Sequence, residues 1–211
     1  MKKRSTALLL ACVLILGVAI GGTVAWLVDV TEEVENVFTI GDINISLWEN
    51  EVNAEGTAFT AEKVEAGETY TYNFVPGDTL PKNPTVTVAK GSEACYIFVK
   101  IEETNNSVGD PAKTVLFYTP AAGWTPLAGE AGVYYKTQAA IAAEGEDADH
   151  EILANNRVTV NGEVTKQDAQ TLKTEQPKLS FQAAAVQSDN IEEGAEEAVR
   201  VAAAYGKVNW N

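Results

Sequence analysis

The sequence predicts an all-β fold, a jelly roll or β-sandwich with short peripheral helices, preceded by an N-terminal signal-peptide helix. About eight short segments alternate apolar with polar residues, as half-buried strands do, and turn residues separate them. Strands and helices do not alternate regularly, which argues against a parallel sheet. An apolar fraction of 45% is enough for a hydrophobic core. We divide the chain into a signal peptide (1–25), an N-terminal segment (26–39) and a β-sandwich domain with a C-terminal helix (40–211).

The leader has the three parts of a secretory signal peptide. MKKR forms a basic start, residues 7–20 form an apolar run, and small residues follow. Thr-Val-Ala at 23–25 supplies small residues at the −3 and −1 positions of a signal peptidase site. We therefore predict cleavage between Ala25 and Trp26.

The leader also fits two other patterns less well. If the apolar run is taken on through Val24 to Val28, it exceeds 20 residues and could serve as an uncleaved anchor. Leu9-Leu10-Ala11-Cys12 matches a bare lipobox, but the apolar run continues past Cys12, whereas a lipobox ends such a run. We expect a cleaved, non-lipidated, secreted protein that contacts the membrane only before cleavage.

Eight segments of the domain are predicted strands. In the first, Ile43, Ile45 and Leu47 alternate with polar residues. In the last, the odd-numbered residues of 179–185 share one face. The other predicted strands are residues 69–75, 85–89, 94–101, 115–119, 132–138 and 157–160, and the last spans 179–187.

Turn residues predict two hairpins. Lys90-Gly91-Ser92 separates segments 85–89 and 94–101, and Asn161-Gly162 suits a tight turn with positive φ. Segment 139–155 shows no regular pattern and is predicted to be a loop or a frayed helix.

Two helices are predicted, a short one over 165–173 and a longer one at the C-terminus. Asn190 and Glu193 have capping-box spacing, and Gly206 is placed to end the second helix. Its apolar stripe would comprise Ile191, Ala195, Ala198, Val199 and Ala202. We expect this helix to pack on the sandwich.

Acidic residues dominate the charge. The formal charge is −15, and loss of the three basic residues of the leader takes the mature chain to −18. A polyanion repels nucleic acid and anionic lipid, so we predict no nucleic-acid partner. Low pH or added cations should favour self-association because they reduce the repulsion between copies.

Residues that could carry catalysis are few, and we predict no enzyme, cofactor or metal site. The single histidine, His150, excludes a two-histidine zinc motif. Cys95, the sole cysteine beyond the leader, cannot form an internal disulfide, and its alternation with apolar residues in CYIFVKI predicts a buried hydrophobe. Five carboxylates of 144–151 could bind Ca²⁺, but solvated surface is the simpler interpretation. For the four tryptophans, core packing is favoured over a carbohydrate platform.

Three stretches, taken in their order, carry a resemblance to a known family. The first is GGTVAWLVD followed by NVFTIGDINISLWE, and its matching residues are Gly21, Gly22, Thr23, Ala25, Leu27, Asp29, Phe38, Gly41, Ile43 and Ile45. The second is VPGDTLPKNPTVTVAKGSEACYIFVKI, with a Pro-Gly-Asp-x-Leu turn at 76–80, and the third is PKLSFQAAAVQSDNIEEGAEEA. Together they resemble the TasA/camelysin family of secreted matrix proteins of Gram-positive bacteria, and the third is similar to the closing strand and helix of its clostridial members.

The resemblance implies a jelly roll, export through a SipW-type signal peptidase, and a structural role in biofilm fibres. Fibre-forming relatives pass an N-terminal strand into the sheet of the next subunit, which makes self the expected partner. Some relatives carry a metallopeptidase label, for which this sequence lacks the histidines. Here the donor segment after cleavage would carry apolar residues between acidic ones, at Trp26, Val28, Val30, Val34 and Phe38. The alternative is a monomeric secreted or surface module of the same fold that binds carbohydrate or a host protein.

Overall fold

The computed structural model describes residues 28–31, 43–65 and 72–210, which form strands and a few short helices. The helices are α1 (Asp168–Leu172) and α2 (Glu197–Tyr205), with a 3-10 turn at Ala154–Asn156. The strands are β1 (Val28–Thr31), β2 (Ile45–Val52), β3 (Phe59–Glu65), β4 (Thr79–Pro81), β5 (Thr85–Val88), β6 (Cys95–Thr104), β7 (Ser107–Val108), β8 (Lys113–Thr114), β9 (Leu116–Phe117), β10 (Thr125–Pro126), β11 (Val133–Gln138), β12 (Ala148–Glu151), β13 (Arg157–Val160) and β14 (Lys178–Gln187).

These strands pair antiparallel in several sheets, as the prediction of an all-β fold requires. The largest sheet has the order β1-β14-β6-β11-β10, and a second has the order β12-β5-β2-β3. Strands β4, β13 and β9 form a three-stranded sheet, and β7 pairs with β8. The five-stranded sheet is built around the ten-residue pairing of β14 with β6, which runs from Lys178 opposite Thr104 to Gln187 opposite Cys95.

The first hydrophobic core lies between the five-stranded sheet and the two sheets that face it. Alternate residues of β6 and β14, such as Ile97 and Ala185, are fully buried there against Ile45 and Val86 of the second sheet. Val158 of β13 joins the same cluster from the three-stranded sheet. The period of two in the sequence therefore identifies this buried face correctly.

A second core covers the opposite face of the five-stranded sheet. Tyr96 and Phe98 of β6 pack there with Ala184 and Val186 of β14, and α2 covers them with Val201. The Phe98 ring lies 5.4 Å from the Tyr205 ring, centroid to centroid, in a tilted arrangement. Over Cys95–Val99 of β6 and Ala183–Val186 of β14 the two strands are consequently buried on both faces, which explains why these stretches are apolar without alternation.

The C-terminal helix forms as predicted, but its predicted start and its predicted stripe are wrong. It begins at Glu197, because Asn190, Glu192 and Gly194 all have positive φ in the preceding turn, and the capping box does not form. The later start changes the helical phase, so Val201 and Ala204 are buried. Of the predicted stripe Ile191, Ala195, Ala198, Val199 and Ala202, only Ile191 is buried, and it lies in the turn before the helix. Gly206 ends the helix as predicted.

Neither predicted hairpin forms. Strand β5 pairs with β2 and β12, whereas β6 pairs with β14 and β11, so Lys90-Gly91-Ser92 carries the chain from one sheet to the other. A tight turn does close here, since the Ser92 N–H donates to Ala89 O at 3.2 Å, and the Gly91 N–H donates to Ile141 O at 2.9 Å, but the turn does not join paired strands. Asn161-Gly162 leads from β13 toward α1, and neither residue has positive φ.

Two local predictions also need correction. Residues 72–75 of the predicted strand 69–75 are not in a strand, and the rest of it lies outside the described residues. Segment 139–155, predicted to be irregular, contains β12, which extends the second sheet beside β5. The acidic side chains of β12 hide its alternation, because Asp149 and Glu151 flank a single inward residue, His150.

Helix α1 is fixed to the β7–β8 hairpin by one carboxylate. Lys113 Nζ donates to Asp168 Oδ2 at 2.9 Å, and the Thr165 N–H and hydroxyl donate to the same oxygen. The Lys113 hydrogen bond, with those from Thr165, lowers the pKa of Asp168 to about 2. Gly109 in the hairpin has φ +84, and a Cβ there would lie 2.9 Å from Asp168 Oδ1. The loop therefore needs glycine for both conformation and space.

Replacing Phe98 with Ala should lower the free energy of unfolding by about 3–5 kcal/mol, because the side chain is 0% exposed and its loss leaves a cavity under α2. Val199→Ala on α2 is the matched control, since Val199 is 51% exposed, and it should change stability by less than about 0.5 kcal/mol. Urea denaturation followed by circular dichroism measures both. A larger loss in the control than in Phe98→Ala would contradict the observed face of α2.

Candidate functional site

Cys95 and His150, the two side chains best suited to nucleophilic or acid–base chemistry, are both buried. Cys95 is a free thiol with 0% exposure at the start of β6, and burial raises its pKa to about 12. It is the inert buried residue that its strand pattern predicts. His150 Nε2 lies 2.9 Å from Gln138 Oε1, and its ring meets the Trp124 ring edge-on. These contacts hold β12 of one sheet against β11 of the other.

The acidic run 144–151 is tied to its surroundings by single hydrogen bonds. Asp147 Oδ1 accepts the Lys90 N–H at 2.9 Å, and Asp149 accepts the Thr87 hydroxyl. Throughout the described residues, no three His, Cys, Asp or Glu side chains come together as a metal-binding group. The run behaves as a solvated strand edge.

The tryptophans are dispersed and do not form a platform. Trp124 is buried in the first core, and its Nε1–H donates to Glu151 O at 2.7 Å. Trp48 lies on β2 with Lys63 Nζ 3.5 Å from its ring centroid. Trp210 packs on Tyr205 next to the second core, and Trp26 lies outside the described residues.

The feature that sets this chain apart from a plain sandwich is the N-terminal strand β1 at the edge of the five-stranded sheet. It pairs antiparallel with β14, with Val28 opposite Val186 and Thr31 opposite Ala183. Residues 32–42, eleven in number, separate β1 from the rest of the domain in sequence. A terminal strand that completes a sheet edge has the arrangement used in β-augmentation.

The stretch of β14 that pairs with β1 is fully buried when β1 is in place. All four residues opposite β1, Ala183–Val186, then have 0% exposure. Ala183 and Ala185 face the first core, and Ala184 and Val186 face the second. Backbone N–H and C=O groups in such a position need partners, because an unpaired polar group buried away from water costs about 1–3 kcal/mol.

The end of this edge is fixed by Arg200 of α2. Its Nη2 donates to Ser188 O at 2.8 Å and its Nε donates to Ile191 O at 3.2 Å, just beyond the last residue of β14. The guanidinium also lies 5.9 Å from the centroid of the Tyr96 ring. The helix therefore holds both the covered face and the end of β14 in place.

The sequence analysis named a donor segment and named no residue of β14 as its acceptor. Val28 and Val30 of the predicted donor segment are in β1, opposite Val186 and Ala184. The other predicted donor residues Trp26, Val34 and Phe38, and Ala25 of the predicted cleavage site, lie outside the described residues. Nothing in the sequence marked β14 as an edge strand, because edge position depends on the order of strands in the sheet.

Comparison with protein-family models, with curated proteins and with solved structures yields no match for this chain. The helices within the described ranges are all too short or too polar to cross a membrane. The candidate site therefore rests on its own geometry and on the residues of the leader and the donor segment.

Removing β1 should destabilise the domain. A chain that starts at residue 32 leaves the edge of Ala183–Val186 without its partner, and we expect its free energy of unfolding to be about 2–4 kcal/mol lower than that of a chain starting at Trp26. A chain that starts at Val28, and so keeps β1, is the control and should match the longer chain within about 1 kcal/mol. Equal stability of all three in urea would show that β1 contributes nothing.

His150 should make stability fall in mild acid. Burial, helped by the nearby charge of Lys136 and opposed by that of Asp149, lowers the pKa of His150 below 6.5 in the folded state. The unfolded chain then takes up the proton first, so stability falls as pH drops from about 6.5 through the folded pKa, at most by about 1.4 kcal/mol per pH unit. In His150→Gln this fall in the free energy of unfolding between pH 7 and 5 should be absent, as measured by urea titrations at each pH. If the free energy of unfolding of the variant changed with pH as steeply as that of the unsubstituted chain, the assignment to His150 would be wrong.

Proposed function

We propose that this chain is the precursor of a secreted, non-enzymatic structural protein of an extracellular biofilm matrix. Its copies join into fibres when each donates its N-terminal strand to the sheet of the next. The observation that carries the proposal is the pairing of β1 with β14 at the edge of the five-stranded sheet. A strand held at an edge by backbone hydrogen bonds can be exchanged for the same strand of another copy without any change of contacts.

The leader supports the proposal because it would control when the strand is free. Signal peptidase cleavage at Ala25–Trp26 would leave a mature N-terminus two residues before β1. Continued backwards, the register of β1 brings Trp26 level with Ser188, one residue past the end of β14. Before the cut this strand would be tethered at the membrane, and afterwards its whole length along β14 would be available to a neighbour.

The fold and the family resemblance support the same role. Antiparallel sheets that enclose a common core are compatible with a jelly roll, the fold that the resemblance to TasA/camelysin proteins implies. We accordingly propose a SipW-type signal peptidase as the processing enzyme and other copies of the chain as the partner. The burial of Cys95 and the enclosure of His150 favour a structural protein over an enzyme.

A bulky folded tag fused directly before Trp26 should abolish fibres in electron micrographs while the circular dichroism spectrum of the domain is retained. Fibres need a free N-terminal strand to enter the next sheet, and the tag would block that entry. A protease site between the tag and Trp26 supplies the control, because digestion should restore fibres in the same sample. The micrographs are recorded over a range of pH and salt concentration, since low pH or added cations should promote assembly of a mature chain of charge −18.

Other outcomes of this experiment separate the alternatives. Abundant fibres with the tag in place would refute strand donation. A digested protein that stays monomeric at all pH and salt conditions and retains a glycan would favour the monomeric binding module. N-terminal sequencing of the secreted form tests the predicted cut after Ala25 independently of assembly.

A further inference from the structure

The outer face of the second sheet, β12-β5-β2-β3, presents polar side chains around a single tryptophan. Inward residues of β2 and β5, such as Leu47 and Val86, lie in the first core, so the residues that alternate with them face away from it. The register places on this outer face Ser46 and Trp48 of β2, Thr85 and Thr87 of β5, Asp149 and Glu151 of β12, and Lys63 of β3. Trp48 is the one aromatic side chain among them.

The indole of Trp48 lies along this face. Trp48 is directly opposite Thr85, and its Nε1–H donates to Oγ1 of Thr87, the next outward residue of β5, at 2.7 Å. The ring therefore extends over β5, and Thr85 has only 2% exposure. Lys63 Nζ, which comes from β3 on the other side of β2, lies 3.5 Å from the ring centroid. One face of the ring thus lies against the sheet, and the lysine ammonium group lies over the other.

The position of Lys63 shows what the ring attracts. The outer face of the indole binds an ammonium group of the chain itself, as the negative face of an aromatic ring does. Lys63 is an exposed side chain, and a lysine that turns aside regains rotamer freedom. A ligand that offers the ring a better partner can therefore take its place.

Acidic groups lie beside the ring on the same face. The Thr87 hydroxyl, which accepts the indole N–H, donates to Asp149 Oδ1 on β12. Asp149 and Glu151 are both exposed, two residues apart on that strand. The face thus combines an aromatic ring with carboxylates that can accept hydrogen bonds from a positively charged group.

We propose that this face binds a cationic glycan, a polysaccharide built from amino sugars. The apolar face of one sugar ring stacks on the Trp48 indole in place of the Lys63 ammonium group, and the ammonium group of the sugar pairs with Asp149. Charge complementarity favours this partner, because the mature chain carries −18 and the carboxylates of β12 lie next to the ring. The site is independent of strand donation, so a fibre and a monomer would bind the glycan alike.

A cationic peptide fits this face less well than a glycan. Peptides that bind to sheets add to an edge, where backbone N–H and C=O groups are free. Strands β2 and β5 are the two inner strands of the order β12-β5-β2-β3, so each pairs with a neighbour on both sides. The face therefore offers side chains alone, and a sugar ring with polar groups around its rim uses these without any backbone pairing.

Isothermal titration calorimetry of the mature chain tests the site. The probe is a glucosamine tetramer with protonated amines at low salt, and the matched probe is the N-acetylglucosamine tetramer of the same linkage, which keeps the stacking face but lacks the charge. Trp48→Ala is paired with Trp210→Ala, which removes a half-buried tryptophan beside the second core. Lys63→Ala, which uncovers the ring, is paired with Lys166→Ala, which changes the charge equally outside the second sheet.

We expect the glucosamine tetramer to bind about tenfold more tightly than the N-acetylated one, and Trp48→Ala to weaken its binding about tenfold, against less than about twofold for Trp210→Ala. Lys63→Ala should bind it about threefold more tightly than Lys166→Ala does. Absence of binding, equal affinities for the two tetramers, or equal losses in the two tryptophan variants would overturn the site. A lysine tetrapeptide that binds as tightly, with the same dependence on Trp48, would overturn the glycan as its partner. If Trp48→Ala fails to fold by circular dichroism, the lysine variants decide, because equal affinities of these two would also overturn the site.

Discussion

The pairing of β14 with β6 is the interaction on which the rest of the molecule depends. Its ten consecutive residue pairs form the centre of the five-stranded sheet, and Cys95–Val99 and Ala183–Val186 are buried on both faces. One face closes the core shared with the other sheets, and the other supports α2. Because the first of these cores requires the opposing sheets and the second requires the helix, loss of this pair would leave both layers without a surface to pack on.

Local patterns in the sequence predict the parts of the fold that local physics determines. Strands β6, β11, β13 and β14 begin and end within about three residues of the predicted positions. Burial on one or two faces produces an apolar pattern within each strand, and this pattern does not depend on which strands are its neighbours. Turn residues are less informative, since Lys90-Gly91-Ser92 could reverse the chain within a sheet or carry it to the facing one. That choice is made by pairing partners distant in sequence, such as β14 for β6. The phase of α2 was missed because the turn at Asn190–Gly194 takes up residues that a helical pattern also fits.

The candidate site also has one half that depends on adjacent residues and one half that depends on pairing partners distant in sequence. The strand at Val28–Thr31 lies in the segment that the sequence predicts as a donor, because a leader-like run followed at once by alternating apolar and acidic residues is a pattern of adjacent positions. The proposed acceptor half could not be predicted, because Ala183–Val186 has the same apolar residue pattern as any buried strand. What would make it an acceptor is its place second from the edge in the order β1-β14-β6-β11-β10, together with a helix that closes its outer face. Neither property leaves a signature within β14 itself.

The opposite edge of the five-stranded sheet bears on the shape of any assembly. There the sheet ends in β10, two residues long, and one of them is Pro126, which has no N–H to offer a further strand. If copies join by strand donation, a sheet with one edge that accepts a strand and one blunted edge favours head-to-tail joining through a heterologous contact. Chains built in this way would be polar and unbranched, and their two ends would differ: one would end in a free donor strand, and the other in an acceptor edge whose own strand is already donated to the neighbour.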